Sequence, residues 1–187
     1  MSACAQEAPL NLILLLESVL VAAAALLNAR REYRKHGRLT LVGLFLVCLM
    51  LVLPNMLIHY AITYSVPDTP VEWAAVVVAA AGLALCLLGI GAFRSFSKVM
   101  CLDAGTLARS GPYRWGRNPQ YVGWLIFLAG FTLTGWSWWC LPALVVVAVS
   151  LHLLVRVEEE HLRRVFGDPY AEFCRRTPRY FGSGIAD

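Results

Sequence analysis

The residues best equipped for chemistry fall in two blocks. One is Ser110 to Trp124, SGPYRWGRNPQYVGW, which gathers Tyr113, Arg114, Arg117, Asn118 and Tyr121 between prolines and tryptophans. The other is Arg156 to Tyr180, RVEEEHLRRVFGDPYAEFCRRTPRY, which opens on three carboxylates in a row. At helical spacing Leu151, Leu154, Val155, Glu158, Leu162 and Val165 share a face, so Glu158 stands inside an apolar stripe. Glu160, Arg163 and Arg164 point the other way, and Glu159 lies on the flank. Surface ion pairing accounts for Glu160. It does not account for Glu158, since a carboxylate among Leu and Val is costly unless a cation meets it. A cationic or zwitterionic ligand held between Glu158 and the Tyr/Trp/Asn/Pro block would satisfy both.

The elements that must position these blocks are membrane spans. A mean hydropathy of +0.63 with only 15% charged residues leaves too little charge to cover a water-soluble surface. A spanning helix needs roughly 20 apolar residues. The apolar runs give helices over about 10–29, 39–64, 71–93, 120–135 and 138–157. The last two form a hairpin, turned at Gly135-Trp136-Ser137-Trp138-Trp139. The expected fold is an all-α integral membrane protein of five transmembrane helices in a single membrane domain, 1–187. Its polar segments are a loop, 94–119, and a C-terminal segment, 158–187.

Orientation follows from the cations. All 16 Lys and Arg lie in Arg30 to Arg38, Arg94 to Arg117 and Arg156 to Arg179, which five crossings bring to one side. By the positive-inside bias that side is cytoplasmic, with the N-terminus outside and the C-terminus inside. The opposite side carries Glu7, Asp68 and Glu72 and no cation. The net charge of +4 therefore reports topology and contact with anionic lipid headgroups, not nucleic-acid binding. No obligate protein partner is evident.

The six cysteines are scattered without a C-x-x-C pair, so neither a metal site nor a disulfide framework is expected. Glu17, Asn55 and His59 read as polar contacts between helices, Pro54 as a kink, and Gly82, Gly89 and Gly91 as sites of close helix packing. The loop Arg94 to Gln120, about 27 residues long, is unusual for a connection between spans. Its apolar residues and its turn formers Gly105, Gly111-Pro112 and Asn118-Pro119 make it an ordered cap against the membrane face.

Taken together, GPYRWGRNPQYVGW and, one hairpin later, EEEHLRRVFGDPYAEF closely resemble the isoprenylcysteine carboxyl methyltransferase family, whose wider group includes phospholipid N-methyltransferases. The family pattern is a Tyr before R-H-P-x-Y-x-G, then a Glu pair with Leu four residues after its first member, then F-G-x-x-Y. The resemblance covers roughly Gly105 to Tyr180.

It implies a membrane methyltransferase that uses S-adenosylmethionine, bound in a cytoplasmic pocket between the loop before the fourth helix and the acidic helix that follows the fifth. Cofactor contacts would be Gly105, Thr106, Leu107, Ala108, Tyr113, Asn118, Pro119, Gln120, Tyr121 and Glu158. In this reading Glu158 pairs the cofactor ammonium, Tyr113 and Tyr121 offer aromatic faces, and Arg117 or Arg114 holds its carboxylate. Either arginine could equally be a headgroup anchor. Glu158, Arg117 and Glu159 are the candidates for the reacting centre.

Two positions depart from the family. Asn118 replaces the histidine of R-H-P, an amide that hydrogen-bonds but does not titrate. Leu154 stands where relatives carry a substrate-binding arginine, which leaves Arg156, on another face, as the nearby candidate for the acceptor. Methylating a carboxylate needs no general base, whereas methylating an ammonium does. The loss of the histidine therefore favours carboxyl O-methylation of a lipophilic acceptor, or methylation of a thiol-like one, over phospholipid N-methylation, although Glu158, Glu159 or His161 could supply a base. A membrane reductase of the related sterol reductase architecture and a non-enzymatic membrane scaffold are the alternatives from other classes.

Overall fold

The computed structural model describes residues 3–61, 67–92, 111–135 and 137–181. Within them the chain forms six α-helices and one short 3-10 turn: α1 Ala3–His36, α2 Leu41–Ala61, α3 Pro70–Gly91, the turn Gly111–Arg114, α4 Pro119–Leu133, α5 Cys140–Phe166 and α6 Asp168–Arg176. The described residues contain no strand. Four helices are long and apolar enough to cross a membrane, and α4 is a shorter apolar helix. The chain is an all-α integral membrane protein.

Local chemistry sets the helix ends. α1 carries Arg34, Lys35 and His36 in its last turn, where cations complement the helix dipole, and stops at Gly37, whose φ of 68° lies in the left-handed region. Glu32 closes the turn into α2, accepting from the Thr40 N–H and hydroxyl at 2.7 Å each and from Asn28 at 2.9 Å. α3 opens with Thr69 and Glu72 in a reciprocal capping box and Pro70 in the first turn. Asn118 and Pro119 open α4, but the Asn118 side chain makes no cap bond. α5 runs through the compositional boundary at Val157 and ends only at Gly167, so the acidic run is part of the same 27-residue helix as the last span.

Packing divides the bundle in two. α3 and α4 lie backbone to backbone, because a methyl group at Gly82, Gly123 or Gly130 would collide with main-chain atoms of the partner helix. α1 and α2 pair, and α5 packs against both. One core cluster joins Leu57 and Ile58 of α2, Leu128 of α4 and Ala143, Val147 and Leu151 of α5. A second, toward the start of α4, joins Ala22, Ala25, Met50 and Leu154, with Tyr121 packed against it. The outward residues stay apolar, with Leu20, Leu27 and Leu41 all widely exposed, as a lipid-facing surface requires.

Candidate functional site where α4 meets α5

The start of α4 and the C-terminal half of α5 meet at one end of the bundle. Tyr121, in the first turn of α4, donates its hydroxyl to Glu158 Oε1 at 2.8 Å. Tyr113 is buried in the 3-10 turn and donates to Gln120 Oε1 at 2.7 Å, tying that turn to the helix it precedes. Pro119 is fully buried, while Arg114 and Trp115 are exposed. Gly105, Thr106, Leu107 and Ala108 lie outside the described residues.

The three carboxylates have three different environments. Glu158 is half-buried beside Tyr121. Glu160 is on the outer face, paired with Arg30 at 3.2 Å, Arg34 at 2.9 Å and Arg164. Glu159 is the most enclosed, with a side chain only 5% exposed. Arg179 grips it with Nε at 3.1 Å from both oxygens and Nη2 at 2.8 Å from Oε2. Arg117 adds Nη2 at 3.2 Å from Oε1, with its own side chain 9% exposed. The helical wheel put Glu159 on a flank; the flank is covered because the segment after α6 folds back over it.

That fold-back also fixes its neighbours. Arg117 N donates to the Pro178 carbonyl at 3.0 Å, and Asn118 Nδ2 donates to the Arg179 carbonyl at 3.0 Å. The Arg117 guanidinium also meets Cys174, and its Nε is buried without a partner. Tyr180 reaches His152 Nδ1 at 2.9 Å. Burial, and after it the Glu159 charge, pushes the Tyr170 hydroxyl well above the ordinary tyrosine value. The Arg179 guanidinium is held above its usual range chiefly by its bonds to Glu159.

Arg117 is thus neither a headgroup anchor nor an open cation, since its charge faces Glu159. Arg156 is exposed on α5, away from the Tyr121–Glu158 pair. His161 stacks on Tyr33 of α1 with ring centroids 4.5 Å apart. Leu154 is buried among Ala22, Ala25 and Met50 and presents no charge. No group of acidic, His and Cys residues able to hold a metal occurs among the described residues.

Sequence reasoning missed Arg179 and the fold-back that carries it. The available signal was Thr177-Pro178-Arg179, a proline break after α6 followed by a cation. It also missed a cavity of about 990 Å³ between α2 and α4, lined by Leu51, Asn55, His59, Trp124, Phe127 and Phe131 among others. Trp124 stands one turn along α4 from Tyr121, and its indole N–H is buried without a protein partner. A carboxylate and phenol next to an apolar cavity can hold a cationic group beside a hydrocarbon chain.

Comparison with known proteins finds relatives over part of the chain. The chain is 36% identical over 84 residues to human protein-S-isoprenylcysteine O-methyltransferase, covering 41% of this chain and 27% of the relative. The Xenopus laevis protein of the same name is 30% identical over 91 residues, with the same coverage. The matched region thus spans about a quarter of these relatives' length. No solved structure matches. The model of the phospholipid methyltransferase family matches residues 73–169, from α3 through the first block of site residues and into the second as far as Pro169, and the chain belongs to that family.

Proposed function

We propose that this protein is an S-adenosylmethionine-dependent methyltransferase that takes a lipophilic acceptor from the bilayer and methylates a carboxylate on it. The observation that carries the reading is the Tyr121–Glu158 pair, a half-buried carboxylate held in position at the end of the bundle, one turn of α4 before Trp124, which lines an apolar cavity. When bound, the cofactor would supply an activated methyl group. Glu158 suits its ammonium, and the rings of Tyr113 and Tyr121 suit the adenine or the sulfonium. The fit is supported by the polarity of this end, where a carboxylate, two phenols and the Gln120 amide come together at the edge of an otherwise apolar bundle.

The acceptor's hydrocarbon chain fits the cavity between α2 and α4, whose wall is made chiefly of apolar and aromatic side chains such as Leu51, Trp124 and Phe127. Carboxyl methylation is favoured over amine methylation by Asn118. Its amide is buried and engaged with the Arg179 carbonyl, so it serves structure and offers no base. Glu159 and Arg117 neutralise each other and act as support rather than as reacting groups.

The test uses purified protein in detergent. S-Adenosylhomocysteine should raise the melting temperature and NADP should not. Glu158→Gln should weaken binding by about 1.5–3 kcal/mol, the worth of a hydrogen bond to a charged group. Glu160→Gln, which alters only an exposed cluster, should bind like wild type. Equal calorimetric affinities for wild type and Glu158→Gln would sink the assignment. Radiolabelled methyl transferred to membrane lipids and released by mild alkali as volatile methanol marks an ester; label that stays non-volatile marks methylation at another atom and replaces the carboxyl reading.

A further inference from the structure

Five residues, Thr177–Phe181, lie between the start of α4 and the face of α5, and both their backbone and their side chains are engaged. The Pro178 and Arg179 carbonyls accept from Arg117 N and Asn118 Nδ2, each at 3.0 Å. The Arg179 guanidinium grips Glu159 on α5 through both carboxylate oxygens. Tyr180 meets His152, also on α5, at 2.9 Å. The fit is close enough that a methyl group on Gly116 would collide with the Tyr180 carbonyl.

The attachment points are adjacent to the proposed cofactor contacts. Asn118 lies three residues before Tyr121 at the mouth of α4, and Glu159 directly follows Glu158 on α5. α4 and α5 share little other packing compared with the α3–α4 pair. A segment that ties Asn118 to Glu159 therefore fixes the separation on which the Tyr121–Glu158 hydrogen bond depends.

We propose that Thr177–Phe181 is a latch that assembles the cofactor pocket, with Arg179 as its positioning residue. Arg179 touches no reacting group and acts through Asn118 and Glu159. This rests on the cofactor role given above to Tyr121 and Glu158. Because coupling between binding events is reciprocal, a ligand that needs the latched state must also hold the latch closed.

The choice of variant follows from the charges. Glu159→Gln would leave Arg117 and Arg179 facing each other without a counter-charge. Arg179→Met leaves Glu159 paired with Arg117, so the bundle should still fold. With the full chain in nanodiscs and S-adenosylhomocysteine as the probe, Arg179→Met should raise Kd at least tenfold and Arg179→Lys by less, with little change in the melting temperature of the ligand-free protein. Kinetically, KM for S-adenosylmethionine should rise while kcat is largely kept, a split that general loss of folded protein does not produce. In wild type, saturating S-adenosylhomocysteine should slow tryptic cleavage after Arg179, a measurement that stands even if the variant fails to fold. Wild type that binds, together with an Arg179→Met variant of equal Kd or cleavage that the ligand leaves unchanged, overturns the latch alone. Wild type that does not bind overturns the cofactor reading and the latch with it.

Discussion

Three consecutive glutamates with identical chemistry acquire three roles because successive residues on a helix point about 100° apart. Glu160 faces three arginines in the open, and such exposed pairs contribute little. Glu159 is enclosed by two guanidiniums and holds structure together. Glu158, the first of the three, meets a phenol. A hydroxyl that donates to a carboxylate also orients it, so Tyr121→Phe should loosen Glu158 while keeping the aromatic face. The expected loss is about 0.5–1.5 kcal/mol of cofactor affinity, the net worth of one hydrogen bond. Tyr121→Ala removes the ring as well and should abolish measurable binding in calorimetry while the protein remains folded. Unchanged affinity in Tyr121→Ala would mean that the Tyr113–Trp124 stretch is an interfacial anchor and that the cofactor binds elsewhere.

At the scale of elements, the spans were legible because apolar runs of sufficient length have one stable solution in lipid. Their ends were less so. Composition changes where water begins, whereas a helix stops where its backbone can turn, at Gly37 and Gly167 with φ of 68° and 54°. Helical spacing found Glu158, and the motif found Tyr121. Neither could find the enclosure of Glu159, because its cover comes from a segment that meets it only through tertiary folding. The α3–α4 contact is a further consequence of small residues. Gly82→Ala puts a methyl against α4 backbone and should cost about 1–3 kcal/mol, whereas Gly91→Ala meets nothing within 4 Å and should melt like wild type. Packing of α6 has its own pH signature. Tyr170 is buried with Glu159, Cys174 and Arg117 around it, and its proton is held well above the ordinary value of 10.0. Below that pH folded and unfolded chains both keep the proton and no penalty arises. Above it the unfolded chain alone releases the proton, so stability falls with rising pH. Melting temperatures measured between about pH 8 and 11 should decline above 10, and Tyr170→Phe should flatten that decline.

The whole molecule separates its charge along one axis. Arg30 and Arg34 at the end of α1 meet Glu160 of α5, and Arg117 before α4 meets Glu159, so these described arginines of the cationic segments converge with α5 on one end of the bundle. That end also carries the Tyr121–Glu158 pair. Asp68 and Glu72 lie beside the start of α3, at the far end of the span that closes toward α4. In a cell membrane, cations flanking short loops stay on the cytoplasmic side, so the site should face the cytoplasm, where the proposed cofactor is made and where anionic headgroups meet the arginines. Single cysteines test this in a chain whose native cysteines have been replaced by alanine or serine. Both Asp68 and Arg38 are exposed and make poor anchors for folding, so either position tolerates the change. Asp68→Cys should react with a membrane-impermeant maleimide in intact cells. Arg38→Cys, one short turn from α1, should react only after the membrane is permeabilised. The reverse pattern would put the site outside the cell, away from the cofactor supply, and equal labelling of both in intact cells would remove the crossing between them.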